Sequence, residues 1–314
     1  MNPKITQLKT ELSKAVIGQE NMIEALIIGL LCEGHILIEG VPGLAKTTTV
    51  NALSKALGLD SKRIQFTPDL LPSDIIGAEI YNPKEHSFSI KKGAIFTHLL
   101  LADEINRAPA KVQSALLEVM QERQVTIGDT SFKLEAPFLV MATQNPIEQE
   151  GIYALPEAQL DRFMMKIVVK HNSEEDELAI MKKGALKQFE QVNAVLSKED
   201  LKSLQNELNT IHIDEAIERY MVQIITATRE PEKFNLNIKN DIMYGASPRA
   251  SIDLYKASRA KAFLRGNDFV SPADIGFVVH NVLRHRIVLS YEARAKGISS
   301  DDIVSKIIET LPLP

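Results

Sequence analysis

The sequence lacks the features that mark several large classes of protein. It has a single cysteine in 314 residues, which excludes a disulfide framework and fits a reducing compartment. Its most apolar stretch, Ala25–Leu31, is too short to span a bilayer. A net charge of −5 argues against bulk affinity for nucleic acid, although a local basic patch stays open. There is no low-complexity tract and no internal repeat.

What is present is the composition of a soluble globular protein. A hydrophobic content of 45% in a chain of 314 residues can bury one or two sizeable cores. The first residues, MNPKITQLKTELSK, are polar and amphipathic, unlike a secretory signal. We therefore expect a cytoplasmic protein with no membrane span.

The strongest local signal is the segment GVPGLAKT at Gly40–Thr47. It lies between an apolar run, Ile36–Ile38, and a helix-like stretch, Thr48–Leu57. Small residues let the backbone wrap closely around an oxyanion, and the N-terminus of the following helix adds its dipole. A strand, a small-residue loop and a helix in this order are the context that a phosphate-binding loop requires. The segment therefore predicts binding of a nucleoside triphosphate.

Two side chains of this loop carry the expected chemistry. Lys46 would reach the terminal phosphates, and the Thr47 hydroxyl would bind Mg²⁺. Gly40 and Gly43 supply small positions, but Ala45 stands where the strict pattern has glycine. We expect Ala45 to adopt the ordinary right-handed conformation, because alanine is strained elsewhere.

The pattern of apolar runs predicts an α/β fold. Nearly continuous apolar segments are typical of parallel strands that are covered on both faces. Five such strands are expected, at His35–Glu39, Ile64–Phe66, Leu99–Ala102, Phe138–Ala142 and Met165–Val169. Two alternating segments predict hairpins, Glu79–Tyr81 with Phe88–Ile90 and Val125–Ile127 with Phe132–Leu134. From about Ser173 onward helix signals dominate and no strand-like run recurs, so an all-helical region should follow the α/β region.

Polar residues that follow two of these strands are candidates for hydrolysis. Asp103 could bind Mg²⁺ through water, and Glu104 could orient or deprotonate the attacking water. An isolated acidic pair would more simply cap the next helix, but the phosphate loop favours the catalytic interpretation. Asn145 could hold the water from the other side, or be a plain turn residue before Pro146.

Two arginines are weaker candidates. Arg162 lies in LDRF just before the last strand, where a surface ion pair with Asp161 is the alternative. Arg249 lies in the first turn of a helix, where a cation opposes the helix dipole. A residue placed against that preference indicates a bound anion.

These motifs together resemble the MoxR family of AAA+ ATPases over most of the chain. The segments that carry the resemblance are VIGQE at Val16–Glu20, GVPGLAKT, LLLADEINRAPAKVQSALLEVMQE, MATQNP, LPEAQLDRF and GASPRA. Ala45 departs from the generic phosphate loop but agrees with this family. The hairpins resemble the family's helix-2 insert, about Glu79–Lys92, and its pre-sensor hairpin, about Val125–Leu134.

The resemblance implies a role for each candidate. Asp103 and Glu104 would be the Walker B pair, Asn145 sensor 1, Arg162 an arginine finger reaching a neighbouring subunit, and Arg249 sensor 2 on a helical lid. Whether Arg249 acts on its own subunit's nucleotide stays open. The implied ATP-binding residues are Ile17, beside the adenine, and Gly40, Pro42, Gly43, Leu44, Ala45, Lys46, Thr47 and Thr48. Mg²⁺ would be held by Thr47 and Asp103. The expected domains are residues 1–172 and 173–314, with a compact lid at about 241–314.

The resemblance also implies a biological role in outline. Family members form rings, expected here to be hexamers, which mature or activate other proteins, often with a von Willebrand factor A domain partner. Three alternatives remain at this point: a nucleic-acid motor of the MCM-like branch, a magnesium-chelatase-type subunit, and a nucleotide sensor without turnover. The acidic balance counts against the first, and the presence of all the hydrolytic residues counts against the last.

Overall fold

The structure, a computed structural model, describes residues 2–41, 43–146, 152–186 and 188–314. The strands are β1 (Ile36–Glu39), β2 (Ser61–Gln65), β3 (Gly77–Asn82), β4 (Ser87–Lys92), β5 (Leu99–Asp103), β6 (Gln124–Ile127), β7 (Thr130–Lys133), β8 (Leu139–Gln144), β9 (Met165–Val168), β10 (Ile242–Tyr244) and β11 (Val288–Leu289). The helices are α1 (Pro3–Ala15), α2 (Glu20–Cys32), α3 (Lys46–Ala56), α4 (Pro72–Ile76), α5 (Ala110–Glu122), α6 (Glu157–Leu160), α7 (Glu174–Ala185), α8 (Lys198–Leu208), α9 (Glu215–Arg229), α10 (Pro248–Arg265), α11 (Pro272–Leu283), α12 (Tyr291–Ala295) and α13 (Ser300–Thr310).

A parallel sheet of five strands, in the order β2-β5-β8-β1-β9, forms the centre of the fold. Successive residues of a strand point to opposite faces. Ile36 and Ile38 accordingly join one hydrophobic cluster and Leu37 joins the other. Because helices cover both faces, the three central strands, β5, β8 and β1, are largely apolar and buried, as predicted. The edge strand β2 differs from the prediction: it extends over Ser61–Gln65, not Ile64–Phe66, and none of its residues is buried.

The register of the sheet brings the ends of its strands together. Glu39 is opposite Gln144, and Gln65 is opposite Asp103. We call this end, formed by Glu39, Gln65, Asp103, Gln144 and Val168, the carboxyl edge. The other end, formed by Ile36, Ser61, Leu99, Leu139 and Met165, is the amino edge. Because these five strands are parallel, each of them starts at the amino edge and ends at the carboxyl edge.

Both predicted hairpins are present. β3 pairs with β4, with Tyr81 opposite Phe88, and β6 pairs with β7, with Val125 opposite Phe132. Each strand of the first hairpin is longer than predicted, because its polar ends continue the pairing beyond the alternating core.

The C-terminal region is mainly helical but is not free of strands, so that expectation was wrong. β10 and β11 form a small antiparallel sheet, with Ile242 opposite Leu289. Segments this short contain too few residues to show an alternating pattern.

Among the helices of the described ranges, none combines the length and the apolar character that crossing a membrane requires.

The helical region packs directly on the α/β region. α10 contacts α2, and α11 contacts β9. Lys261 of α10 donates a hydrogen bond of 2.5 Å to the Glu24 carboxylate of α2. One hydrophobic cluster runs through both regions, so the position of the helical region depends on the packing of the sheet below it.

Candidate active site

The phosphate loop leaves the carboxyl edge between β1 and α3. Its first residue, Gly40, donates its backbone N–H to the Gln144 carbonyl (3.2 Å), and its carbonyl accepts a hydrogen bond from the Lys46 ammonium (2.7 Å). α3 begins at Lys46, two residues before the predicted start. Lys46, Thr47 and Thr48 therefore form the first helical turn, whose N–H groups have no partner inside the helix and can bind an anion.

Ala45 adopts the left-handed conformation, with φ 55° and ψ 16°, so the expectation of a right-handed residue was wrong. Its carbonyl has to point into α3, where it accepts from the N–H of Thr49 (2.8 Å), while the loop before it turns away. Leu44 is buried beneath the loop and Gly43 is exposed. Pro42, which was also predicted to bind nucleotide, lies outside the described residues.

The acidic pair lies at the end of β5, beside the end of β8. The Thr143 hydroxyl donates to Asp103 Oδ1 (2.6 Å) and accepts from the Glu104 N–H (2.9 Å). Arg63 of β2 donates to Asp103 Oδ2 (2.6 Å). These contacts come from both neighbouring strands, so the position of the Asp103 carboxylate is set by the sheet itself.

Glu104 has a left-handed backbone, with φ 55° and ψ 51°. Its carboxylate accepts hydrogen bonds from Gln65 Nε2 (2.6 Å) and Arg107 Nη1 (2.9 Å). Within the described chain it makes no capping hydrogen bond to the short helix that follows. The simpler interpretation, an acidic helix cap, is therefore wrong for Glu104.

Asn145 directly follows β8, one position beyond the pair formed by Glu39 and Gln144. It is only 6% exposed, and its place in the register puts it beside Gly40 at the start of the phosphate loop. The structure thus brings five predicted residues together at the carboxyl edge. These residues are Lys46, Thr47, Asp103, Glu104 and Asn145.

Sequence reasoning missed the residues that support the acidic pair: Arg63, Gln65, Arg107 and Thr143. Gln65 and Thr143 are polar residues in the last two positions of β2 and β8, on either side of β5 in the sheet order. A polar residue at the carboxyl end of a predicted parallel strand was the available signal, because such ends meet at one edge.

Oxygen ligands suited to Mg²⁺ are present, namely the Thr47 hydroxyl and the Asp103 carboxylate. Within the described residues, no group of three or more His, Cys, Asp or Glu side chains could hold a metal ion. A cation at this edge would therefore depend on water and phosphate oxygens for most of its ligands, which is how Mg²⁺ is usually bound with nucleotides.

A cavity of about 650 Å³ opens at the end of β9, where Val169 lies close to Gly40, the first residue of the phosphate loop. One wall is Gln19–Met22, which follows the half-buried Ile17, and the opposite wall is α11 with Phe277 and His280. Its floor is the end of β9, where the Val169 N–H donates to the Glu39 carbonyl (2.8 Å). A volume of this size is typical of small-molecule sites.

Arg162 and Arg249 lie at the other end of the sheet. The N–H of Met164 donates to the His35 carbonyl (2.9 Å), which places Arg162 at the amino edge. Arg162 Nη1 donates to the Leu117 carbonyl of α5 (2.8 Å). Both arginines line one cavity of about 300 Å³, together with Lys256.

The predicted alternative for Arg162, a surface ion pair with Asp161, was wrong. Asp161 instead pairs with Arg286 (2.8 Å) and more loosely with Arg249 (3.4 Å). Both of these partners belong to the helical region. The long sequence separation of these contacts explains why the sequence pattern indicated the wrong partner.

His35, at the start of β1, is a structural residue of the amino edge. Its Nδ1 accepts from the Val140 N–H (3.0 Å), so Nε2 carries the proton and donates to the Met120 carbonyl (3.0 Å). Burial lowers the pKa of His35 to about 4. The imidazole is therefore neutral near pH 7 and joins β1, β8 and α5.

Comparison with known proteins agrees with this geometry. Residues 35–165 match the ATPase family associated with various cellular activities (AAA), and residues 235–307 match the AAA lid domain. A solved structure from Cytophaga hutchinsonii, described as a candidate ATPase, superposes with a TM-score of 0.93 at 51% identity, covering 99% of this chain and 95% of that one. The fold is that of an AAA+ ATPase core followed by a lid.

The relatives narrow this class. Chaperone MoxR1 of Mycobacterium tuberculosis is 47% identical over 97% of this chain and 81% of its own length. Protein MoxR of Methylorubrum extorquens is 30% identical over 98% of this chain and 94% of its own. The chain belongs to the MoxR family, a chaperone-like branch of the AAA+ ATPases.

Proposed function

We propose that this chain binds ATP with Mg²⁺ and hydrolyses it in a ring, where each active site is completed by a second copy. One observation carries the proposal: the phosphate loop and the acidic pair lie at the carboxyl edge, whereas Arg162 and Arg249 lie at the amino edge. β1 has four residues, and at about 3.3 Å per residue the edges are separated by roughly 10 Å of packed sheet. Arg162 can therefore serve only another copy's loop.

The residues of the carboxyl edge divide the chemistry among them. Lys46 exchanges its contact with the Gly40 carbonyl for phosphate oxygens, which are stronger partners for an ammonium group. Thr47, and Asp103 through water, would hold Mg²⁺, which would supply positive charge to neutralise the phosphates. Glu104 orients the attacking water and accepts its proton, with Asn145 on the other side. The adenine base of the nucleotide lies near Ile17, in the cavity at the end of β9.

A protein client agrees better with the exposed surface than a nucleic acid does. The β3–β4 hairpin presents Ile80, Tyr81 and Phe88 to solvent, and Phe88 is 66% exposed. Exposed apolar side chains match a protein surface rather than a phosphate backbone. We propose that this hairpin engages the client complex, and that a von Willebrand factor A domain protein is the partner.

The proposal is tested with Arg162→Ala. An arginine supplied to a transferring phosphoryl group is worth about 10³–10⁵ in rate, so turnover should fall by that order while the melting temperature and ATP binding stay normal. Arg219→Ala is the matched control, because Arg219 forms an exposed ion pair with Glu215 on α9. It should change neither property.

Mixing variants then shows where the arginine acts. Arg162→Ala and Lys46→Ala rings are each inactive, but a mixed ring contains interfaces with an intact loop facing an intact Arg162. Phosphate release should therefore reappear on mixing. A mixture that stays inactive, although native mass spectrometry detects mixed rings, would exclude a site shared between copies.

A further inference from the structure

Arg286 is a buried arginine whose hydrogen bonds surround the Arg162 backbone. Its side chain is 1% exposed. Nε donates to Asp161 Oδ1 (2.8 Å), and Nη2 donates to the carbonyls of Asp161 (3.2 Å) and Phe163 (2.9 Å). Nη1 donates to the Met164 carbonyl (3.3 Å). The guanidinium thus contacts the chain on both sides of Arg162.

Other residues of the helical region add to this contact. His285 Nε2 donates to the Phe163 carbonyl (2.9 Å), and the Ser247 hydroxyl donates to Asp161 Oδ2 (3.0 Å). Asp253 of α10 accepts a hydrogen bond from Arg286 Nη2 (2.5 Å), so a second residue of the helical region holds the guanidinium in place. We call the segment 161–164 the finger loop. Its backbone is held by the lid and not by the sheet alone.

The element that carries Arg286 also reaches the cavity at the end of β9, where the proposed function places the adenine base. α11 lines that cavity with Phe277 and His280, and it ends at Leu283, three residues before Arg286. A helix of twelve residues is about 18 Å long, which is enough to extend from one edge of the sheet to the other. A shift of α11 at the cavity would move Arg286 with it.

We infer that Arg286 is a positioning residue for Arg162. Arg286 is connected through α11 to the nucleotide cavity of its own subunit, so the position of Arg162 depends on whether that cavity is occupied. Nucleotide in one subunit would therefore set the rate of catalysis in the neighbouring subunit that Arg162 serves. This inference rests on the proposed function. A buried ion pair adds little stability compared with apolar residues of equal size, but its fixed hydrogen bonds specify one geometry.

The first test is Arg286→Lys, which keeps the charge and removes the planar fork that contacts several carbonyls at once. Because a misplacement of about 1 Å can cost about 100-fold in rate, turnover should fall by about 10-fold to 100-fold while binding of a fluorescent ATP analogue is unchanged. Arg265→Lys is the matched control, since Arg265 pairs with the buried Asp274 elsewhere in the lid (3.0 Å). It should keep its turnover.

Mixed rings separate positioning from a general defect. With Lys46→Ala, Arg286→Lys should regain turnover, because its intact loop then faces an undisturbed Arg162. Mixed with Arg162→Ala, Arg286→Lys should not regain turnover, because each variant supplies a missing or misplaced Arg162 to its neighbour. A variant damaged in its own nucleotide site would give the opposite pattern, and that result would overturn the inference.

A second variant keeps the inference testable if Arg286→Lys does not fold. Asp161→Asn removes the charge partner and retains the size of the side chain, and it should show the same pattern of rescue. Full turnover in both Arg286→Lys and Asp161→Asn, with Arg162→Ala inactive, would refute this inference alone. Full turnover in Arg162→Ala would instead refute the shared site on which it rests.

Discussion

The two edges of the central sheet are built by different means. At the carboxyl edge, Asp103 is held by Thr143 and Arg63, each 40 residues away in the chain and each on a neighbouring strand. At the amino edge, Asp161 is held by Arg286, 125 residues away and in a different region. The first edge is an outcome of strand register. The contacts that hold Asp161 at the second edge come from the helical region.

This difference indicates a division of labour. A site for phosphate chemistry needs fixed dipoles and charges, which a rigid sheet provides at no further cost when the reaction occurs. A group proposed to serve a neighbouring subunit can respond to the state of its own subunit when a separate region supports it. The two edges should therefore respond differently to substitution.

The largest effect is expected at the carboxyl edge. Glu104→Gln should bind ATP normally while turnover falls by about 10²–10⁴, the usual contribution of a positioned general base. Lys46→Ala should instead lose affinity, because the loop loses its cation. Titration of a fluorescent nucleotide distinguishes these effects, with Glu118→Gln on the exposed side of α5 as the control. Equal affinities in the Glu104 and Lys46 variants would contradict their assigned roles.

The next effect concerns the amino edge and depends on pH. His35 has its pKa lowered by burial to about 4, so between pH 6.5 and pH 4 the unfolded chain binds a proton that the folded chain does not. The stability contributed by neutral His35 is complete above pH 6.5 and decreases as the pH falls. The loss should reach about 3 kcal/mol near pH 4, at about 1.4 kcal/mol per pH unit.

His35→Gln is the variant that isolates this effect. Glutamine can still accept from the Val140 N–H and donate to the Met120 carbonyl, but it does not titrate. The free energy of unfolding, measured with urea at several pH values, should therefore fall less steeply with decreasing pH in the variant. The difference in slope should correspond to about one proton. His285, whose pKa burial also lowers well below its ordinary value, should retain its own contribution. If the free energies of unfolding of the wild-type protein and His35→Gln changed equally with pH, the assignment of this effect to His35 would be contradicted.

The smallest effect is expected in the phosphate loop. A left-handed alanine costs about 1–2 kcal/mol, so Ala45→Gly should raise the free energy of unfolding by about 0.5–1 kcal/mol after the added flexibility of the unfolded chain is subtracted. Ala216→Gly in the first turn of α9 is the control and should have the opposite sign, with a loss of about 0.5–1 kcal/mol. A loss of stability in both would show that the loop tolerates alanine without strain.

Much of the carboxyl edge could be predicted from the sequence. The apolar runs indicated parallel strands, and parallel strands bring their carboxyl ends together, so Lys46, Asp103, Glu104 and Asn145 were expected at one place. Ala45 was misjudged, because its conformation depends on the path of the chain between β1 and α3, which the residue type alone does not give. The supporting residues Gln65 and Thr143 were missed, because the order of strands in the sheet is not apparent from the strands themselves.

The sequence by itself determined the three central strands of the sheet, their burial on two faces and the residue types of the phosphate loop, since each depends on residues near one another in the chain. Only the tertiary structure decided that Asp161 pairs with Arg286, that Arg162 rests on Leu117, and that the two arginines lie away from the phosphate loop. These contacts join segments tens to more than a hundred residues apart. Local periodicity does not record such distances, because they are set by how the lid packs on the finished sheet.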